Sequence, residues 1–214
     1  MYQYILFDLD GTIINSAEGI INCVRYALQA FDITEEDDEK LKAFIGPPLV
    51  DSFQEFYHFS KVEAKKATEK YRERYRDKGI FEIEIYDGIE EVFRTLKARK
   101  KTIALATSKP EVFATRIMEK LGLIPYIDVI TGSEFDGRRD KKEDVLEEVF
   151  LRLGNPKPEE VLMIGDRKFD IIGAKAWGVD SLGVSYGFAP EGELEEYGAT
   201  YIADSPDEIL DYVR

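Results

Sequence analysis

The stretch that decides the fold of this chain is Tyr4-Ile5-Leu6-Phe7-Asp8-Leu9-Asp10-Gly11-Thr12. The apolar run that opens it predicts a buried β-strand, and two aspartates separated by one leucine follow. Because residues i and i+2 of an extended segment project to the same side, Asp8 and Asp10 are expected to point together from the carboxyl end of this strand. Two like charges this close need a cation, a lysine or a shared proton beside them. The stretch therefore predicts a functional site.

Three later stretches carry polar residues that suit such a site. They are Thr107-Ser108-Lys109 at the end of a predicted strand, Lys141-Lys142 at a helix start, and Gly165-Asp166 with Asp170 after another predicted strand. Parallel sheets bind ligands at the carboxyl ends of their strands. Asp8, Thr107 and Asp166 all follow strands in this way, so we expect them at one edge of a sheet.

In this order, the four stretches resemble the four motifs of the haloacid dehalogenase-like hydrolases. The resemblance is greatest to the phosphoglycolate phosphatase-like branch and covers the whole chain. It implies a Mg²⁺-dependent phosphatase that hydrolyses small phosphate monoesters. Asp8 is the expected nucleophile, because a carboxylate can attack phosphorus and form an aspartyl-phosphate. Asp10 is the expected general acid, which then serves as general base for the attacking water.

The resemblance also implies roles for the other motif residues. Thr107 offers its hydroxyl, and Ser108 its backbone amide, to the phosphoryl oxygens, while Lys142 supplies a positive charge there. Lys141 competes with Lys142 for this role, since the Lys-Pro signature that is usual in the family is missing. The expected Mg²⁺ ligands are the carboxylates of Asp8 and Asp166 and the backbone carbonyl of Asp10, since Mg²⁺ prefers oxygen ligands. Asp170 is expected to hold metal-bound waters or to orient its neighbours.

Predicted strands and helices alternate along most of the chain. Strands are predicted over 4–7, 102–107, 126–131, 161–165, 180–184 and 200–203, and helices over 16–31, 87–99, 111–121, 141–153, 169–177 and 206–213. The pattern between 87 and 90, Asp-Gly-Ile-Glu, predicts a capping box. Strands separated by helices predict a parallel sheet with right-handed crossovers. The fold class is therefore α/β, with a Rossmann-like parallel-sheet core.

The sequence pattern changes between Thr34 and Gly79, where charged helical stretches appear with no convincing strand. Helices are predicted over 35–44, 49–59 and 62–78, and the segment 80–86 reads as a strand or a return linker. An all-helical block inside an alternating pattern predicts an inserted cap domain. We therefore divide the chain into a core of residues 1–15 and 81–214 and a helical cap of residues 16–80. In the family, such a cap lies over the active site and shapes substrate choice.

Composition narrows the class of partner. A formal net charge of −14 argues against nucleic acid or an anionic membrane surface as a partner. A small phosphorylated metabolite needs only a local positive site and remains the expected substrate. The single cysteine, Cys23, excludes an intramolecular disulfide, and no apolar run reaches membrane-spanning length. We expect a cytoplasmic protein that is a monomer or a homodimer.

Other functions fit parts of the pattern. The stretch 44–49 and the residues leading to Ile80 also resemble family members labelled 5′-nucleotidases. A β-phosphoglucomutase-like phosphomutase shares the nucleophile, the metal and the acid/base, and differs mainly in how the cap excludes water. A phospho-accepting signalling domain combines aspartates, a threonine and a lysine on a parallel sheet. Its order of motifs disagrees with this chain, in which the aspartate pair follows the first strand and a helical insertion comes next.

Overall fold

The computed structural model describes residues 1–213, which divide into two compact units. The first unit combines residues 1–14 with the chain from residue 85 onward, and the second contains residues 15–84. The β-strands of the described residues are β1 Tyr4–Phe7, β2 Ile14–Asn15, β3 Glu84–Ile85, β4 Thr102–Pro110, β5 Val129–Ser133, β6 Val161–Gly165, β7 Asp180–Val184 and β8 Tyr201–Ala203. The α-helices are α1 Ala17–Gln29, α2 Asp38–Lys42, α3 Leu49–Tyr57, α4 Lys61–Tyr75, α5 Ile89–Ala98, α6 Glu111–Lys120, α7 Lys142–Arg152, α8 Lys168–Ala176, α9 Glu193–Glu196 and α10 Ile209–Tyr212.

The first unit is built on a six-stranded sheet with the order β5-β4-β1-β6-β7-β8. Every neighbouring pair in it is parallel. β1 lies in the interior, and its last residue, Phe7, is in register with Leu105 of β4 and Ile164 of β6. The chain leaves β1 for strands on one side and then crosses to strands on the other, so β1 is the point where strand order reverses. The predicted α/β class with a Rossmann-like parallel sheet is confirmed.

Helices cover both faces of β1, which explains its continuous apolar sequence. Ile5, Leu6 and Phe7 are all fully buried. Leu6 belongs to a cluster with Val145 and Val149 of α7, on one face of the sheet. The ring of Phe7 points to the opposite face and meets Phe93 of α5 edge-on, with 4.9 Å between centroids. A strand buried on both faces reads as an apolar run instead of an alternating one, and this is the pattern of β1.

Several element boundaries differ from the predictions for local reasons. β4 continues three residues past the predicted end at Thr107, and its pairing with β5 shifts register between Ala106 and Pro110. β5 begins at Val129 and not at Tyr126, because a short 3₁₀ helix, Ile124–Tyr126, comes first. The predicted capping box before α5 is wrong. Gly88, with φ 92°, is the N-cap residue and provides no side-chain bond.

The second unit contains α1 to α4 and a 3₁₀ helix, Gly79–Phe81. Its helices were predicted, although α2 is five residues shorter than expected and α3 and α4 are each two residues shorter. Ser60 caps α4 in a capping box with Glu63, which satisfies backbone donors at the helix start. The sequence-based division falls at residues 15/16 and 80/81, whereas the compact units meet at 14/15 and 84/85. Among residues 1–213, no helix combines the length and the apolar character needed to cross a membrane.

Within the second unit, α1 and the 3₁₀ helix approach so closely that only glycine fits between them. A β-carbon built on Gly19 would lie 2.2 Å from the carbonyl oxygen of Gly79. The amide N–H of Gly19 also donates to the carbonyl oxygen of Glu82, at 3.2 Å. The same β-carbon would lie 2.9 Å from the carbonyl oxygen of Glu82. Both carbonyl oxygens are backbone atoms, which cannot rotate away as a side chain can. Gly19 is therefore fixed by packing, although glycine is a poor helix former.

We expect Gly19→Ala to lower the free energy of unfolding by about 1–3 kcal/mol, because overpacking against backbone outweighs the better helix propensity of alanine. Chemical denaturation of the full chain measures this difference. The neighbouring variant Glu18→Ala is the control, since Glu18 is an exposed residue of the same helix turn. A Gly19→Ala protein as stable as the control would contradict the packing described above.

Candidate active site

Asp8 and Asp10 lie at the carboxyl end of β1, in the interior of the sheet. The backbone N–H of Asp8 donates to the carbonyl oxygen of Ile164, at 2.8 Å, which continues the β1–β6 ladder by one residue. After Asp10 the chain turns sharply at Gly11, which has φ +81°, and the Gly11 N–H donates to the carbonyl oxygen of Ile14. The side chains of Asp8 and Asp10 are only 13% and 15% exposed. Two carboxylates are thus held in a largely dry environment.

Lys142, at the start of α7, lies against Asp8. Its ammonium nitrogen is 2.8 Å from Asp8 Oδ1, 2.7 Å from Asp170 Oδ1 and 2.8 Å from the carbonyl oxygen of Ala106. The Lys142 side chain is 3% exposed, whereas Lys141 is exposed at the helix N-cap. Of the two lysines that the sequence left open, the structure brings Lys142 to the aspartates.

Asp166 and Asp170 come from the end of β6 and the first turn of α8. The backbone N–H of Phe188 donates to Asp166 Oδ2 at 2.7 Å, and the backbone N–H of Arg167 donates to Asp170 Oδ2 at 3.1 Å. Both aspartates are almost completely buried. Sequence reasoning gave Asp170 only a supporting role, yet it contacts Lys142 directly. Asp166 precedes Arg167, the N-cap residue of α8, and Asp170 lies in the first turn of that helix, so the junction between β6 and α8 brings both carboxylates to one edge of the sheet.

The charges in this cluster perturb one another. Burial raises the pKa of the Asp8 carboxyl to about 6, because desolvation exceeds the opposing effect of the Lys142 ammonium. Burial also raises the pKa of Asp166 well above its usual range, and the negative charges of Asp170 and Asp8 raise it further. Burial alone would lower the pKa of Lys142, but the two neighbouring aspartates outweigh it and the pKa is raised. One lysine thus fails to neutralise three carboxylates.

Asp8, Asp166 and Asp170 form a donor set that suits a hard cation. One carboxylate oxygen from each lies within 4.8 Å of the others. Among residues 1–213, no hydrogen-bond partner reaches the buried Oδ1 of Asp166. The opposite side of Asp166 is closely packed, since a β-carbon on Gly11 would be 1.9 Å from Asp166 Oδ2. A buried, unpartnered carboxylate oxygen in an all-oxygen set fits Mg²⁺, which binds carboxylates and retains waters.

Thr107, Ser108 and Lys109 lie beside this cluster at the end of β4. Thr107 directly follows Ala106, whose carbonyl oxygen accepts from Lys142, and its hydroxyl oxygen accepts from the Lys109 amide at 3.2 Å. The carbonyl oxygen of Ser108 accepts from the hydroxyl of Ser133 at 2.7 Å. The structure therefore brings the predicted threonine and serine to the same edge of the sheet as Asp8.

Lys109 contacts Asp10, and this contact was not identified from the sequence. Its ammonium nitrogen lies 2.9 Å from Asp10 Oδ2. The sequence shows Lys109 two residues after Thr107, but it gives no sign that the side chain turns toward β1. The site thus contains two lysine–aspartate pairs, one at Asp8 and one at Asp10.

Comparisons with known proteins agree with this architecture. The profile of a family described as haloacid dehalogenase-like hydrolase matches residues 5–184. A relative from Pseudomonas aeruginosa named 5′-nucleotidase is 43% identical over 95% of this chain and 92% of its own length. A solved structure of a predicted phosphatase from Clostridium acetobutylicum is 45% identical, covers 100% of this chain and 98% of the other, and superimposes with a TM-score of 0.95.

A third comparison concerns the fold alone. A solved structure of a predicted phosphoglycolate phosphatase from Haemophilus somnus covers 100% of this chain and 98% of the other, with a TM-score of 0.85. At a sequence identity of 21%, the similarity is one of fold. The matched profile spans most of the chain and includes the aspartates at both ends of the motif series. The chain therefore belongs to the haloacid dehalogenase-like hydrolases, and the prediction that it is an enzyme of the phosphatase class is confirmed.

Proposed function

We propose that this chain is a Mg²⁺-dependent phosphomonoesterase that acts through an aspartyl-phosphate on Asp8. The observation that carries the proposal is the contact of Lys142 with Asp8 beside the unpartnered oxygen of Asp166. This arrangement combines a fixed carboxylate nucleophile with one resident cation and a place for a second. Phosphoryl transfer needs this combination, because the nucleophile and the phosphate are both anions.

In the first half-reaction, a carboxylate oxygen of Asp8 attacks phosphorus. The new bond joins Asp8 to the phosphoryl group, and the bond from phosphorus to the ester oxygen breaks. Asp10, in its acid form, gives its proton to the departing alkoxide, so an alcohol leaves. Asp8 and Asp10 come from the same strand end two residues apart, so both carboxyl groups can reach one substrate phosphate.

In the second half-reaction, water replaces the alcohol. Asp10, now a carboxylate, takes a proton from the water as the water oxygen attacks phosphorus. The bond between phosphorus and Asp8 breaks, and inorganic phosphate leaves. One residue serves both steps, because each step is the other's reverse with water in place of the alcohol. The site returns to its starting state.

The phosphoryl oxygens need donors that stay in place while charge moves. The hydroxyl of Thr107, the backbone amide of Ser108 and the ammonium of Lys142 provide them at the edge of the sheet. The carboxylates of Asp8 and Asp166 and the backbone carbonyl of Asp10 would hold Mg²⁺, and Asp170 orients Lys142. When bound, Mg²⁺ offsets the repulsion between the aspartates and the phosphate and polarises a phosphoryl oxygen.

We also propose that the helical block of residues 16–80 is a cap domain that selects the substrate. Long insertions beside catalytic motifs carry function more often than plain elaborations do. The 43% identical relative favours nucleoside 5′-monophosphates as the first substrates to test, and phosphoglycolate follows from the branch resemblance. We further propose a cytoplasmic location, in keeping with one cysteine and small phosphorylated substrates.

The direct test is phosphate release from a panel of nucleoside monophosphates, phosphoglycolate and sugar phosphates, with and without Mg²⁺. We expect hydrolysis that requires Mg²⁺ and a preference for one class. Asp8→Asn should lower turnover by at least about a thousandfold, because it removes the nucleophile and keeps the shape. Normal activity in this variant, with a native circular dichroism spectrum, would disprove the aspartyl-phosphate mechanism.

The two adjacent lysines provide a matched pair of variants. Lys142→Ala should lower kcat by about 10²- to 10³-fold, because it removes the charge beside Asp8. Lys141→Ala should stay within about threefold of the wild type, since Lys141 is exposed. Steady-state kinetics on the preferred substrate measures both effects, and thermal unfolding checks that each variant is folded. The reverse order of the two effects would reassign the phosphate-facing lysine.

The metal-free stability of Asp166→Asn tests the proposed ion site without using activity. At neutral pH, the buried carboxylate is an unfavourable charge that asparagine lacks, so the metal-free variant should be more stable by about 1–3 kcal/mol. Mg²⁺ should raise the melting temperature of the wild type and leave that of Asp166→Asn nearly unchanged. The exposed Asp207→Asn is the control and should behave as the wild type does. An equal response of Asp166→Asn to Mg²⁺ would place the ion elsewhere.

A further inference from the structure

The ion pair between Lys109 and Asp10 has no role in the mechanism above. The two side chains are only 7% and 15% exposed, and 2.9 Å separates Lys109 Nζ from Asp10 Oδ2. Removing a lysine ammonium from water is costly unless a hydrogen-bonded counter-charge faces it. The pair is therefore expected to persist in the folded protein, unlike an ion pair between exposed side chains.

The backbone around Lys109 is fixed on both sides. Its amide N–H donates to the hydroxyl oxygen of Thr107, in the part of β4 where the pairing with β5 shifts register. Its carbonyl oxygen packs against Gly132 of β5, where a β-carbon would lie 2.5 Å away. From this position the Lys109 side chain reaches Asp10, which follows β1, the neighbouring strand of the sheet. The lysine is thus supported by the same strand end that carries Thr107.

The two oxygens of Asp10 have different surroundings. Oδ2 is held by Lys109, whereas no partner in the described residues reaches the buried Oδ1. A carboxylate held by one oxygen cannot rotate freely, so its other oxygen keeps one direction. A group that delivers a proton to a leaving oxygen needs this constraint, because a misplacement of about 1 Å can cost on the order of a hundredfold in rate.

The geometry points to Lys109 as a positioning residue that fixes Asp10 Oδ2 and thereby aims Oδ1 at the oxygen of the leaving group. This inference rests on the proposed function, since it assigns Lys109 a part in the acid step of that mechanism. Lys142 and Lys109 then have different partners in the site. Lys142 serves the nucleophile Asp8, and Lys109 serves the acid/base Asp10.

The test compares esters that differ in their need for a proton. An alkoxide must be protonated as it leaves, whereas p-nitrophenolate is stable enough to leave as an anion. The experiment measures kcat/KM, which covers the steps through the formation of the aspartyl-phosphate, for the most reactive alkyl phosphomonoester of the panel and for p-nitrophenyl phosphate. Lys109→Met should lower kcat/KM about 10- to 100-fold for the alkyl ester and less than about threefold for p-nitrophenyl phosphate. Lys109→Arg should recover part of the loss, because it restores a cation.

Lys101→Met is the matched control. Lys101 precedes β4 at the opposite end from Lys109, is buried, and donates to the carbonyl oxygen of Tyr2 at 2.6 Å. Its loss should leave the ratio of the two kcat/KM values unchanged. If Lys109→Met does not fold, Lys109→Gln is measured in the same way.

Two outcomes for a folded variant would overturn the inference and leave the proposed function intact. Equal losses for both esters would assign Lys109 to phosphate binding or to general stability, and no loss for either ester would make the ion pair irrelevant to catalysis. A wild-type protein that hydrolyses neither ester would instead overturn the proposed function, and the role of Lys109 with it.

Discussion

The contacts of Lys142 with Asp8 and Asp170 connect three distant parts of the chain. Asp8 directly follows β1, Lys142 belongs to α7 and Asp170 to α8, and the Lys142 ammonium lies within 2.8 Å of both carboxylates. A buried ammonium between two buried carboxylates is stable only while all of them stay in place, since removing one partner leaves an uncompensated charge. The parallel sheet satisfies this condition, because it brings the carboxyl ends of β1, β4 and β6 to one edge.

The cluster around Lys142 contains more acidic than basic side chains. Lys142 compensates part of the negative charge, and the pKa values of Asp8 and Asp166 stay raised. Such a site is stabilised by whatever brings positive charge to Asp166, and this is the physical basis for expecting a divalent ion there. Folding tolerates the unfavourable charge because the surrounding strands are fully buried and apolar. Stability from the core therefore maintains a site that is unfavourable by itself.

Much of this architecture could be predicted from the sequence, because its determinants are local. The apolar runs before Asp8 and before Asp166 identified the strands, and the aspartates that follow these runs identified the carboxylates of the site. The choice between Lys141 and Lys142 stayed open, since it depends on where the first turn of α7 points. Local rules also failed at Gly88, where a positive φ replaced the expected capping box. The contact of Lys109 with Asp10 was not identified, because it joins residues that are far apart in the sequence and leaves no local pattern.

The central claim of this account is that Asp8 becomes phosphorylated during turnover, and chemical trapping tests it most directly. Acid quenching during steady-state hydrolysis, followed by borohydride, converts an aspartyl-phosphate to homoserine, which peptide mass spectrometry locates in the sequence. The account predicts homoserine at position 8 in the wild type with Mg²⁺ and substrate, and none when the substrate or Mg²⁺ is omitted. Modification at another aspartate, or none at position 8 under conditions that trap the intermediate of a known aspartyl-phosphate enzyme, would contradict it.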